Sequence, residues 1–128
     1  MKRAATITAG QVLDVLRDKH FKAPAHCMLR EVGNSTGFAK NRSADGLVVS
    51  CWPSRGIWFG GIEVKVSRGD WLRELRDPEK SSEVQRFCHY WWIATPEGVV
   101  KTSELPETWG LVEIKGKTSE VVKEAPRL

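Results

Sequence analysis

The chain has 128 residues, 41% of them hydrophobic and 28% charged, with a formal net charge of +4 and a pI near 9.1. That length suits one domain, residues 1–128, with a continuous core, and is too short for two comfortable ones. The small basic excess permits a nucleic-acid partner without demanding one. Cys27, Cys51 and Cys88 are odd in number and lack CxxC spacing, which argues against a disulfide framework and a zinc site and for buried thiols in a reducing compartment. Neither a sustained apolar run after Met1-Lys2-Arg3 nor a stretch of roughly 20 apolar residues is present, so a cytoplasmic protein without a membrane partner is expected.

In chain order, Val12, Leu13, Val15 and Leu16 recur near the helical period, with Thr8 as a cap, and Phe21-Lys22-Ala23-Pro24 ends that first helix. Residues 25–32 read as a short strand carrying Glu31, and residues 33–42 as a loop that brings Lys40 and Arg42. Residues 44–52 and 57–66 are strands joined by a tight turn at Pro53-Ser54-Arg55-Gly56, so the pair forms a hairpin. Ser67 and Asp70 have capping-box spacing at the start of a helix whose apolar face is Trp71, Leu72 and Leu75. Asp77-Pro78 breaks it and begins another helix to about Arg86. Residues 87–94, rich in aromatics, read as a buried strand, residues 95–107 as a connection with one helical turn, and residues 110–115 with 119–123 as a closing hairpin.

In Gly61-Ile62-Glu63-Val64-Lys65-Val66, strict alternation puts Ile62, Val64 and Val66 on one sheet face and Glu63 with Lys65 on the other. A Glu-x-Lys pair alone is more often the solvated face of an amphipathic strand. Here it stands in an assembly: Asp45 opens the preceding strand, a short turn follows, and a capped helix comes immediately after. The carboxylates of Asp45 and Glu63 with the backbone carbonyl of Val64 make a hard oxygen site of the kind magnesium takes, with manganese as a substitute. Such a metal stabilises charge on a phosphoryl group and lowers the pKa of a water molecule, while Lys65 orients that water or neutralises developing charge. Free N–H groups at the helix start by Ser67, with the Arg68 cation, suit a phosphate.

The run Arg42-Ser43-Ala44-Asp45, then residues 63–75 from Glu63-Val64-Lys65 through Trp71-Leu72-Arg73-Glu74-Leu75, then Pro78-Glu79-Lys80, resembles a group of phage and bacterial proteins within the PD-(D/E)XK nuclease superfamily, related to MmcB-like DNA-repair proteins. The resemblance runs from about Glu31 to the C-terminus. It implies an α/β, restriction-endonuclease-like fold, a central mixed sheet flanked by helices, with Asp45 and Glu63 as metal ligands and Lys65 as the catalytic lysine. It further implies an outer carboxylate at Glu31, to bind a second metal or position water. Alanine precedes Asp45 where the superfamily's name has proline. Gln85 and Tyr90 are similar to a glutamine and tyrosine that some of these nucleases carry beyond the lysine, at a spacing of five rather than four.

The expected function is therefore magnesium-dependent hydrolysis of DNA phosphodiester bonds in phage or bacterial DNA processing or repair. The alternative is a DNA-binding or protein-interaction module on the same fold that no longer cleaves. Lys40, Arg42, Arg55, Ser67 and Arg68 are the expected DNA contacts, and a homodimer is compatible with either reading.

Overall fold

The computed structural model describes residues 7–33, 43–77 and 82–128. Six strands form one mixed sheet: β1 (His26–Gly33), β2 (Ser43–Ser50), β3 (Phe59–Val64), β4 (Tyr90–Pro96), β5 (Gly110–Lys115) and β6 (Thr118–Lys123), arranged in chain order. The β1–β2, β2–β3 and β5–β6 pairs are antiparallel, whereas β3–β4 and β4–β5 are parallel. Parallel neighbours need crossovers. Helices α2 (Arg68–Arg76) and α3 (Ser82–Gln85) lie in the first crossover, and a single 3-10 turn at Thr102–Glu104 lies in the second.

Two apolar layers hold the sheet between them. Helix α1 (Ala9–Val15) buries Val12 and Leu13 against Val48, Ile62, Val64, Trp92 and Val112 on one face. On the other, Trp71 of α2 and Val84 of α3 join Trp91, Ile93, Val100, Leu105, Trp109 and Leu111. The Thr8 cap is present as a full capping box with Gln11, and the Ser67 hydroxyl caps α2 by accepting from the Asp70 N–H.

Several sequence expectations shift in register or extent. The first helix continues through a π-helical turn at Leu16–His20 before Phe21. The strand expected at residues 87–94 begins only at Tyr90 and reaches Pro96, leaving Phe87 exposed. Cys27 and Cys51 lie exposed rather than buried; only Cys88 is buried, and desolvation pushes its thiol up to about 11. The start of the helix expected from Pro78 lies outside the described residues.

Adjacent Trp91 and Trp92 of β4 point to opposite faces, and each indole lies across a glycine of the neighbouring strands. A Cβ on Gly61 would fall 2.2 Å from the Trp91 ring, one on Gly60 2.7 Å from the Trp92 ring, and one on Gly110 2.5 Å from it. These rings are locked by packing and cannot swing aside. Gly61→Ala should therefore lower unfolding stability by about 1–3 kcal/mol, the usual cost of overpacking, measured by denaturant titration; an unchanged midpoint would contradict this packing.

Candidate active site

The hairpin aims Glu63 of β3, and Lys65 just beyond its end, at the face under α2, because Ile62 and Val64 occupy the other. The β2–β3 ladder runs from Val49↔Phe59 to Gly46↔Ile62 and is not continued by a backbone pair at Asp45. Instead the Asp45 carboxylate takes the next donor: its Oδ2 accepts from the Val64 N–H at 2.8 Å. By strand geometry the Val64 carbonyl points to the same edge as its own N–H, so it faces the Asp45 side. On the other edge, the Lys65 N–H donates to Ala94 O at 3.1 Å. Pro96, two residues on, has no N–H to extend that ladder, and the β3–β4 pairing ends there.

Lys65 follows the last residue of β3 and turns its ammonium beneath α2. Its Nζ lies 3.2 Å from Glu63 Oε1 and 3.0 Å from Glu74 Oε1. The side chains of Glu63, Lys65 and Glu74 are only 14, 13 and 2% exposed, so this is an interior ion triad rather than a solvated strand face. Burial first, then the Asp45 charge and to a lesser degree Glu74, push the Glu63 carboxyl up to about 7 although Lys65 pulls it down. Burial acts to lower Lys65, but Glu63 and Glu74 outweigh it, and its pKa lies above the ordinary lysine value.

Asp45, Glu63, Lys65 and the Val64 backbone are thus brought together. Among the described residues, no group of three or more His, Cys, Asp or Glu side chains is placed to hold a metal ion by itself. The oxygens that could take a cation are two carboxylates and one carbonyl, hard donors that fit magnesium in kind and leave most of its positions to water or phosphate. Glu31 sits between the pairs Arg30↔Gly46 and Val32↔Ala44, across from Asp45, exposed and with a left-handed φ of 53°. A glutamate rarely adopts that conformation, and such outliers gather at functional sites.

The expected DNA contacts are placed unevenly. Ser67 is exposed at the start of α2. Arg68 is engaged within the protein: its two terminal nitrogens bond Glu104 Oε1 and Oε2, each at 2.6 Å, and one also donates to Val99 O at 2.9 Å. That bond first, and the Lys101 N–H second, hold the Glu104 carboxyl down at about 2. The Arg55 backbone belongs to the 3-10 turn Pro53–Arg55 at the closed end of the hairpin, while Asp45 and Glu63 are at the open end. Going back along β3 from Glu63 to Phe59 already spans about 13 Å at ~3.3 Å per residue, so Arg55 is separated from the pocket. The Arg55 side chain, Lys40 and Arg42 lie outside the described residues. Gln85 accepts from the Trp109 indole at 3.3 Å, and Tyr90 packs on the α1 face, so the proposed glutamine–tyrosine likeness does not converge here.

Glu74 is the residue that sequence reasoning missed. The signal was its spacing: it falls three residues after Trp71 and one before Leu75, on the buried stripe of α2, where a charge needs a partner. Two clefts among the described residues lie elsewhere. One of about 490 Å³ is lined by Gln85, Phe87, Cys88, His89 and Leu128, and one of about 310 Å³ by Phe21, His26, Trp58, Tyr90, Trp92 and Glu124. Neither touches Asp45, Glu63 or Lys65.

The raised Glu63 carboxyl has a pH signature. Between about 4.5 and about 7 the folded protein holds a proton on Glu63 that the unfolded chain has released, so stability falls as pH rises through that window. Glu63→Gln should therefore melt higher than the wild type at pH 8, in the absence of divalent metal, and lose most of that advantage by pH 5. Thermal melts at the two pH values check this; an advantage that grows towards acid would reverse the assignment.

No protein-family model and no curated protein matches the sequence. A solved structure, the SPO1766 protein of unknown function from Silicibacter pomeroyi, is similar over 97% of this chain and 76% of its own, with a TM-score of 0.67 and 20% sequence identity. At that identity the likeness is one of fold: a mixed α/β domain built on a mixed sheet.

Proposed function

We propose that this domain is a magnesium-dependent DNA nuclease of the PD-(D/E)XK type on a restriction-endonuclease-like fold, acting in phage or bacterial DNA processing or repair within the cytoplasm. One observation carries the reading. At the point where β2 leaves the β2–β3 ladder, Asp45 binds the Val64 N–H beside a buried Glu63 whose carboxyl is pushed up to about 7. A carboxylate whose charge burial disfavours, with the Asp45 charge beside it, calls for a compensating cation, and Val64 offers a carbonyl to the same edge.

Asp45, Glu63 and the Val64 carbonyl would hold magnesium, which when bound supplies positive charge at the scissile phosphate and acidifies a water molecule. Asp45 is oriented for this by its bond from Val64. Lys65 supplies a fixed positive charge next to Glu63, placed to steady the attacking water or the phosphate oxygen that gains charge. Glu31, across from Asp45, is the outer carboxylate of this arrangement. The noncleaving alternative draws on the lack, among the described residues, of a ready three-ligand group.

The test is cleavage of labelled single-stranded, duplex, flap and junction DNA with magnesium or manganese. Asp45→Asn and Glu63→Gln should each lower the rate by at least about a hundredfold, as loss of a central charged group does, while folding survives. Magnesium-independent activity, or undiminished activity in both variants, would overturn the assignment; DNA binding without cleavage would select the alternative.

Lys40 and Arg42 precede Ser43, whose pairing with Gly33 lies two residues from Asp45, and we assign them to the phosphate-contacting surface. Replacing both by alanine should weaken binding to unrelated DNA sequences alike and reduce the salt slope by about 1 per lost contact, measured by fluorescence titration. An unchanged slope would remove them from the surface.

A further inference from the structure

We propose that Glu74 is the positioning residue for Lys65, holding its ammonium clear of Glu63 so that Glu63 is free to take the cation. This inference rests on the nuclease reading above. Lys65 is shared, 3.2 Å from Glu63 Oε1 and 3.0 Å from Glu74 Oε1. A lysine bound only to Glu63 would compete with any cation for that carboxylate. Glu74, with a side chain 2% exposed on a helix behind the site, holds the lysine from the side that solvent and substrate do not reach.

Docking of α2 alone does not account for Glu74. That docking is already done by Arg68, which saturates both oxygens of Glu104, with the Trp71 indole adding a bond to Glu104 Oε1 at 3.3 Å. Glu74 differs: its Oε2 is buried and has no hydrogen-bond partner among the described residues. An apolar residue of similar volume would fill the same space without leaving an unpaired buried oxygen. The ammonium has three donors, and the spare Oε2 is a second acceptor on the same carboxylate. When Glu63 turns to a cation, Lys65 can move its lost bond to Glu74 Oε2 without leaving its place. The lysine charge is thereby kept beside the reacting phosphate while its competition for Glu63 ends.

The experiment measures magnesium affinity by calorimetry, without turnover, in wild type, Glu74→Gln, Lys65→Met and the double variant, with thermal melts as the folding control. Losing Glu74 should turn Lys65 wholly onto Glu63, so Glu74→Gln should weaken magnesium binding about tenfold, a typical size for coupling between contacting charges. In the Lys65→Met background the same change should cost less than about twofold, within the additivity expected once the shared partner is gone. Glu74→Asp, which keeps the charge but withdraws it by one methylene, should give an intermediate loss and serves if Glu74→Gln does not fold. Equal losses in both backgrounds would make Glu74 a direct ligand, and no loss in either would make it structural; both overturn the inference. A wild type that binds no magnesium would instead sink the nuclease reading, and this inference with it.

Discussion

A lysine ammonium held under a helix by two glutamates is the constraint on which the rest of this domain turns. Lys65 and its partners are nearly out of water, where an unpaired charge is far costlier than a paired one, so β3 and α2 cannot separate without exposing or orphaning a charge. The remaining contacts of α2 serve the same geometry. Ser67 starts the helix at a defined residue, Arg68 and Trp71 tie its first turn to Glu104 and Val99, and Trp71 fills the core beneath it. With the first turn anchored, Glu74, less than one turn beyond Trp71, arrives at the height of Lys65.

The same end of the sheet is where backbone pairing gives out on both sides of β3. Towards β2, a side chain replaces a main-chain acceptor at Val64. Towards β4, Pro96 withholds the N–H that a longer ladder would require. Strand ends that stop pairing leave carbonyls and carboxylates available to something other than the sheet. The rest of the sheet does the opposite: Gly60, Gly61 and Gly110 let the indoles of Trp91 and Trp92 lie flat over neighbouring backbone and fill both layers. A densely packed sheet thus ends in a cluster of charged side chains held at fixed separations.

The two glutamate–cation contacts of α2 differ in burial and in bonding. Arg68 and Glu104 are exposed enough to be screened and are bonded at both oxygens, which fixes a loop. Lys65 and Glu74 are nearly buried, and Glu74 Oε2 has no hydrogen-bond partner among the described residues.

Much of this was decided locally and could be read along the chain. The hairpin followed from two alternating runs about a tight turn, the capped helix from Ser67 three residues before Asp70, and the shared face of Glu63 and Lys65 from the period of two that every strand has. Asp45 could be named as their partner because a hairpin of known turn sets its own register. Other features depended on where distant segments meet. Nothing near Arg68 in sequence says that Glu104, 36 residues on, will occupy its guanidinium, and nothing near Glu63 says that burial will hold its carboxyl near 7. The charged strand face was read as turned to solvent, metal or phosphate, whereas α2 covers it and contributes Glu74. Periodicity tells which side chains share a face; only packing decides what lies over that face, and the environment over it sets the protonation and partners of the charges it carries.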